Sequence, residues 1–355
     1  MTATLFVGSN NGDAPGGLRT FAFDTKSGSL SETSRVDDAR NPIYFEQSDD
    51  GNFLYVSEDV HSCGDAARPG GISVYLVAKD GSLARLASYP VAPTVPCHLS
   101  LSADGRFLCW AEYRCANFGV MAIGADGLLE PVLSRHHEGH GPNPDRQDTA
   151  HCHYARLSPD NRTLHVCDLG LDRVFAYAFD PVAGTLEPTD RDFVAPPGTG
   201  PRHLAFLPKS DLAFLVTELS SEIFSLRIRP DAPPECLDRH SLLPPGGFDG
   251  ATKAAAIRIS PAWDWVLASN RGHDSIAAFR IDPSTGRLEP GAISPLEGRF
   301  PRDFTFSPDG RFVVVGHKLS NEIAVYSFDA RTGALSRVPD VSISMTKPLR
   351  FAFFV

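Results

Sequence analysis

The chain has 355 residues, of which 42% are hydrophobic, and a formal net charge of −10 at pH 7. This charge argues against nucleic acid as a partner, because phosphate binding needs a basic surface. No segment approaches the roughly 20 apolar residues that span a bilayer, which argues against a membrane partner. The N-terminus has no basic and apolar stretch typical of a secretion signal, so we expect a cytoplasmic protein.

The cysteine and histidine patterns bear on metal binding. Seven cysteines are scattered without a Cys-x-x-Cys pair, which predicts free thiols rather than a disulfide framework or a tetrahedral zinc site. His136, His137 and His140 lie close together, but their loop has no companion Cys and their spacing is not that of a helix-borne zinc motif. We therefore expect no metal and no cofactor.

In chain order, one unit recurs with a period of about 50 residues. Its first half is an apolar strand, a tight turn and a second apolar strand, with Asp-Gly or Asp-Asn supplying the positive φ of a short hairpin. Its second half is a further strand and a Gly-x-Leu turn. The first halves begin at Phe45, Leu99, Ala155 and Phe304, with weaker copies at Leu204 and Ile257. The Gly-x-Leu turns begin at Gly28, Gly81, Gly127, Gly184, Gly286 and Gly333.

The repeat predicts the fold class. With a degenerate second half at residues 229–237 there are seven copies, each with about four short strands, which is the pattern of a β-propeller. The first unit lacks its strand-turn-strand half, and residues 348–354 resemble the missing inner strand. We expect an all-β, seven-bladed β-propeller of four-stranded antiparallel blades. It would be a single domain over residues 1–355, closed by pairing of the N- and C-terminal segments.

An alignment of the copies on the proline of Ser-Pro-Asp defines two positions in each blade. They flank the hairpin turn almost symmetrically, so they should lie side by side, far from the turn, at one mouth of the central channel. Six residues before the proline are Ile43, Cys97, His153, Arg202, Ala255 and Arg302. Ten residues after it are Asp59, Tyr113, Leu169, Glu218, Arg271 and Lys318.

The charged members of these positions are concentrated in blades four to seven. In these blades they are His153, Arg202, Glu218, Arg271, Arg302 and Lys318, whereas blades two and three hold mostly neutral residues. Cations with one carboxylate and one imidazole predict a pocket for a small anion with acid-base chemistry. Arg146 and His151 precede His153 in a polar loop that no other copy has, and they could reach the same mouth.

Several motifs resemble the seven-bladed propeller lactonase family, which includes a 6-phosphogluconolactonase type and a carboxy-cis,cis-muconate cyclase type. They are Gly141-Pro-Asn-Pro-Asp-Arg-Gln147, Ala150-His-Cys-His153, Gly200-Pro-Arg-His203, Thr217-Glu-Leu219 and Ser269-Asn-Arg-Gly-His-Asp-Ser-Ile276. The resemblance implies a metal-independent catalytic site of His153, Glu218, Arg202 and Arg271. The chain departs from the pattern at Lys209-Ser210 and Ala262-Trp263, where the Asp-Gly turn is lost, and at Thr163-Leu-His-Val.

The leading hypothesis is a hydrolase of carbohydrate metabolism that acts on a sugar-acid lactone, with 6-phosphogluconolactone or a related aldonolactone favoured. Glu218 or His153 would be the base that activates water, and Arg202 and Arg271 would stabilise the oxyanion. The expected substrate-binding residues are Arg146, His151, His203, Arg302 and Lys318. Arg302 and Lys318 could take a phosphate, and the protein would be a monomer or homodimer.

Two alternatives stay open at this point. A carboxy-cis,cis-muconate cycloisomerase would use the same arginines as a carboxylate clamp, with His153 or Glu218 transferring a proton to carbon. A non-catalytic propeller would instead bind a partner through surface residues such as Trp263 and Trp265, because a fold does not determine a function.

Overall fold

A computed structural model describes residues 2–12, 14–60 and 69–354, so Cys63 lies outside the described residues. The six other cysteines carry free thiols. The described residues form strands and turns, and none of them belongs to a helix that could cross a membrane. They divide into two compact units. The first unit contains the described residues of 1–7, 21–32 and 199–353, and the second those of 8–20, 33–198 and 354–355.

The strands are short, as the turn-rich sequence predicts. In chain order they are β1 (Thr2–Ser9), β2 (Leu18–Asp24), β3 (Leu30–Val36), β4 (Tyr44–Gln47), β5 (Phe53–Asp59), β6 (Gly70–Val77), β7 (Leu83–Ala92), β8 (His98–Leu101), β9 (Phe107–Glu112), β10 (Asn117–Ile123), β11 (Leu129–His136), β12 (Cys152–Leu157), β13 (Thr163–Asp168), β14 (Arg173–Phe179), β15 (Leu186–Pro188), β16 (Phe193–Val194), β17 (Pro201–Phe206), β18 (Leu212–Thr217), β19 (Glu222–Arg227), β20 (Glu235–Ser241), β21 (Lys253–Ile259), β22 (Trp265–Arg271), β23 (Ser275–Ile281), β24 (Leu288–Pro295), β25 (Pro301–Phe306), β26 (Phe312–His317), β27 (Glu322–Asp329), β28 (Ala334–Ser344) and β29 (Pro348–Phe353).

These strands form seven sheets, one for each predicted copy of the repeat. The second unit contains β4–β5–β6–β7, β8–β9–β10–β11 and β12–β13–β14–β15, with β16 continuing the fourth position beside β14. The first unit contains β17–β18–β19–β20, β21–β22–β23–β24 and β25–β26–β27–β28. The seventh sheet is β29–β1–β2–β3. Within each unit the leading strands contact one another, β4 with β8, β8 with β12, β17 with β21, and β21 with β25.

The hydrophobic cores lie between neighbouring sheets. In the second unit Phe107 and Phe118 pack with Leu157 and Phe179 of the next sheet. Every residue of β9, β18 and β22 is buried, because both faces of these strands are covered. By contrast, the fourth strand β7 alternates between exposed and half-buried residues along most of its length.

The hairpin turns keep one backbone conformation even where the sequence loses its glycine. Lys209 and Trp263 adopt φ values of 56° and 62°, close to the 68° of Gly105 in an Asp-Gly turn. The weak copies at Lys209-Ser210 and Ala262-Trp263 therefore change the residues and retain the left-handed turn. The six predicted Gly-x-Leu turns also have a glycine at positive φ.

The two ends of the chain share one sheet. Strand β29 is hydrogen-bonded to β1, which confirms the predicted pairing of the terminal segments. Leu5 and Val7 of β1 are buried in one cluster with Phe351 of β29 and Phe312 of β26. The last strand thus supplies the inner edge that the first unit of the sequence lacks.

Candidate active site

In three sheets, the first of the two aligned positions is a β-bulge. The register shifts between Cys152 and Tyr154, between Pro201 and His203, and between Pro301 and Asp303. The residue left over at each shift is one of the predicted site residues, namely His153, Arg202 or Arg302. A bulge leaves one residue unpaired and turns its side chain away from the regular alternation, which is why bulges occur next to active sites.

In the first unit, two arginines converge on one carboxylate. Arg202 Nε and Arg271 Nη2 lie 2.9 Å and 2.8 Å from the same oxygen, Oε2 of Glu218. The three residues are only 2%, 6% and 4% exposed, so the ion pairs are sheltered from water. The Glu218 N–H donates to the Gly200 carbonyl oxygen at 2.7 Å, which places Glu218 beside the bulged Arg202 as the alignment predicts.

Backbone carbonyl groups hold both guanidinium groups. Arg271 Nε donates to Lys253 O at 3.1 Å, and its Nη2 donates to Ala254 O at 2.6 Å. Arg202 Nη1 donates to Ala255 O, so this neutral member of the aligned position contributes its carbonyl group. The His203 ring lies 3.3 Å from Arg202 Nη1 through Nε2. These contacts fix two positive groups before any ligand binds.

Arg302 and Lys318 add further positive charge in the same unit. The Lys318 N–H donates to the Phe300 carbonyl oxygen at 3.0 Å, and the side chain is half-buried. Burial lowers the pKa of the Lys318 ammonium, and the neighbouring cations Arg302, Lys347 and Arg271 lower it further. A bound anion would reduce this repulsion, so the surroundings of Lys318 favour a negatively charged ligand.

In the second unit, the predicted residues gather around Tyr113. The Tyr113 ring stacks on His151 with centroids 4.3 Å apart and contacts the edge of His153 at 5.4 Å. His151 Nδ1 donates to Tyr113 O at 3.0 Å, and Arg146 Nη2 donates to the Tyr113 hydroxyl group at 3.4 Å. Tyr113 was not among the predicted site residues, and its alignment with Glu218 and Arg271 was the available signal.

A buried His-Cys-Asp group corrects one sequence expectation. Cys152 Sγ lies 3.3 Å from His137 Nδ1, so the histidine-rich loop does have a companion Cys. Asp168 Oδ2 is 2.7 Å from the same nitrogen, and His137 Nε2 lies 2.8 Å from the Tyr177 hydroxyl group. These residues offer three metal-ligand atoms, whereas structural zinc takes four. Because each atom already has a protein partner, hydrogen bonding accounts for the group.

The two tryptophans named for a partner-binding surface differ in exposure. Trp265 is only 2% exposed and its Nε1 donates to Ala330 O at 2.9 Å, so its expected surface position is wrong. Trp263 is 43% exposed at the β21–β22 turn, where it lines a cavity of about 290 Å³ with Phe206 and Phe306. This cavity lies at the opposite end of the hairpins from Arg202 and Arg271.

Comparison with known proteins gives consistent matches over nearly the whole chain. Residues 4–353 match the family model described as "Lactonase, 7-bladed beta-propeller". The chain is 31% identical over 350 residues to a 6-phosphogluconolactonase of Bacillus subtilis, which covers 98% of this chain and 97% of that protein. A 6-phosphogluconolactonase of Formosa agariphila is 28% identical over 344 residues, with 94% and 95% covered.

A solved structure agrees with these relatives. The periplasmic gluconolactonase PpgL of Pseudomonas aeruginosa superposes with a TM-score of 0.92 at 30% identity, covering 100% of this chain and 99% of that one. The matches confirm the predicted fold of seven four-stranded antiparallel blades and argue against a non-catalytic scaffold. The chain is a lactone-hydrolysing enzyme and belongs to the seven-bladed β-propeller lactonase family.

Proposed function

We propose that the enzyme hydrolyses a sugar-acid lactone that carries a second, negatively charged group, with 6-phosphogluconolactone as the first candidate. The observation that carries this proposal is the excess of positive charge near Lys318. The pKa of Lys318 is lowered by burial and then by three neighbouring cations. An anionic substrate would reduce the repulsion between these cations. The names of the Bacillus and Formosa relatives support the same substrate.

In the proposed reaction, water attacks the lactone carbonyl carbon and a negative charge develops on the carbonyl oxygen. Arg271 and Arg202 would stabilise this oxyanion, because charges fixed in a sheltered site need no reorganisation as the reaction proceeds. The ring C–O bond then breaks, and the departing ring oxygen takes a proton. The product is an aldonic acid, which releases one proton when it ionises near neutral pH.

We assign Glu218 to positioning and His153 to proton transfer. One oxygen of Glu218 accepts a hydrogen bond from Arg202 Nε and forms an ion pair with Arg271, so its negative charge is already engaged by two cations. An imidazole has a pKa near neutrality, which suits it to take the proton of water and return it to the ring oxygen. The role of His153, in the second unit, is proposed from its bulge position, which Arg202 and Arg302 share.

The remaining predicted residues would bind the substrate. Arg302 and Lys318 are proposed to hold the phosphate group, where a lysine acts as a point charge. His203 would orient Arg202, which it contacts directly. Arg146 and His151 share contacts with Tyr113 and would support His153 through that ring. A cytoplasmic location stays a prediction, since the name of PpgL specifies the periplasm.

Proton release in weakly buffered solution tests the proposal with freshly generated 6-phosphogluconolactone. We expect saturable acceleration over spontaneous hydrolysis, and a loss of about a hundredfold or more in kcat/KM for His153→Gln and Arg271→Lys. His140→Gln and Arg331→Lys are matched controls, because both residues are exposed. Activity on carboxymuconate alone would instead identify a cycloisomerase, and full activity of His153→Gln would remove its assigned role.

A further inference from the structure

Phe300 has a backbone conformation that is costly for an aromatic residue. It precedes β25 by one residue and adopts φ of 64°, in the left-handed region. Its N–H donates to Asp274 Oδ1 at 2.8 Å, and its carbonyl oxygen accepts from the Lys318 N–H at 3.0 Å. The conformation is therefore fixed from both sides. For an L-residue other than glycine, asparagine or aspartate it costs roughly 1–2 kcal/mol.

The corresponding residue of another blade shows that the backbone does not need a phenylalanine. Gly200 lies two residues before Arg202, as Phe300 lies two residues before Arg302. Its φ is 66°, and its carbonyl oxygen accepts from the Glu218 N–H at 2.7 Å. Gly200 and Phe300 thus have nearly the same φ, and the carbonyl group of each accepts the corresponding hydrogen bond. Glycine meets this requirement without strain, so the side chain at position 300 calls for a separate explanation.

The Phe300 ring lies beside two of the site cations. Arg271 Cζ is 5.2 Å from the ring centroid, and Lys318 Nζ is 5.6 Å from it. Both distances are within the range of cation–π attraction. Arg271 also contacts Glu218, whereas Lys318 is near Arg302 and Lys347. The half-buried ring therefore contacts both the arginine proposed for the oxyanion and the lysine proposed for the phosphate.

We propose that Phe300 contacts the substrate and determines specificity, with its ring as an apolar platform for the C–H face of the lactone ring. A sugar-acid lactone has a carbonyl group at one end, a charged group at the other and C–H bonds between them. Arg271 would contact the carbonyl group, Lys318 the charged group and the Phe300 ring the C–H bonds between them. This inference rests on the proposed function.

The test replaces Phe300 with glycine, which keeps the backbone conformation and removes the ring. We expect the melting temperature of Phe300→Gly to stay level or rise, since strain is released. The KM for the lactone should increase about tenfold with little change in kcat, because the contact is made in ground and transition states alike. Phe300→Tyr should retain the wild-type KM.

Trp263→Gly is the matched control. It removes another aromatic side chain at positive φ in the same unit, at the opposite end of the hairpins, and should leave KM unchanged. A purely structural Phe300 would instead lower the melting temperature of Phe300→Gly without raising KM, and that result would overturn the inference.

Calorimetric binding of 6-phosphogluconate, the product, separates this inference from the proposed function. Phe300→Gly should weaken binding about tenfold relative to the wild type and to Trp263→Gly. Product binding without turnover of any lactone would refute the proposed function. The ratio of the product affinities of the wild type and Phe300→Gly would still decide the role of Phe300. A wild type that neither binds the product nor hydrolyses the lactone would overturn both.

Discussion

At the scale of the residue, the buried side chain of Glu218 affects both folding stability and activity. It is 4% exposed, and one of its oxygens forms ion pairs with both Arg202 and Arg271. Removing one partner from a buried ion pair leaves an uncompensated charge, which costs more than the pair itself contributes. Glu218 should therefore matter for folding stability as well as for activity, because two guanidinium groups depend on it.

Glu218→Gln keeps the shape of the side chain and removes its charge. We expect the free energy of unfolding to fall by about 3 kcal/mol and kcat/KM to fall about a hundredfold. Denaturant unfolding and the proton-release assay measure these two effects. Glu297→Gln is the control, because Glu297 is an exposed partner of Arg337. Wild-type stability in Glu218→Gln would show that the two arginines do not need its charge.

The sequence predicts which residues of this site lie side by side better than it predicts which side chains contact one another. The alignment placed Arg202 beside Glu218 because antiparallel pairing converts symmetric spacing into proximity. It could not show that the Arg271 side chain reaches across to Glu218 from the next sheet. Phe300 was missed for a different reason, since it lies outside both aligned positions and an aromatic residue at a strand end gives no sign of which side chain it will contact.

At the scale of the element, the turn between the first two strands has one residue in the left-handed conformation in the six sheets where a turn joins these strands. Glycine is the commonest solution, asparagine serves at Asn161, and Lys209 and Trp263 adopt it with a larger side chain. Residue preference alone predicts that the turn is lost where the Asp-Gly pair is missing, as at Lys209 and Trp263. Pairing of the flanking strands evidently outweighs a local cost of about 1–2 kcal/mol.

Gly105 allows this cost to be measured alone, because a Cβ at this position would have no neighbour within 4 Å. We expect Gly105→Ala to lower the free energy of unfolding by about 1 kcal/mol, and Gly105→Asn to cost less. Gly246→Ala is the control, since a Cβ there also has open space and φ is not positive. Equal stability of Gly105→Ala and Gly246→Ala would contradict the explanation.

At the scale of the whole molecule, two buried histidines link stability to pH. Burial lowers the pKa of His165, in the second unit, and of His317, in the first, to about 4. Both are neutral in the folded protein, whereas an unfolded chain binds their protons below about pH 6.5. The unfolded state therefore gains stability as pH falls from about 6.5 to 4.

We expect each histidine to reduce the free energy of unfolding by on the order of 3 kcal/mol across this window. Replacing both with glutamine should flatten the dependence of unfolding free energy on pH between 4.5 and 7. Urea unfolding at several pH values measures the slope, and His140→Gln, at an exposed position, is the control. An unchanged slope in the double variant would mean that other groups cause the acid sensitivity.

The fold class was predictable because the repeat constrains it seven times over. The degenerate segment 229–237 could be placed from the spacing of its neighbours, and it comprises most of the β19–β20 connection and the start of β20. The split of a fourth strand into β15 and β16 was not predictable, because a bend in an edge strand leaves little trace in hydrophobic periodicity.

The pairing of β29 with β1 also has a consequence during synthesis. Strands β1 to β3 leave the ribosome before the other strands, but β29, which pairs with β1, follows about 310 residues after β3. At roughly 5–20 residues per second, the first sheet waits about 15–60 s for its last strand. During that interval one edge of β1 has no partner from its own sheet, so a nascent chain that stalls late in translation would present an open strand edge to its neighbours.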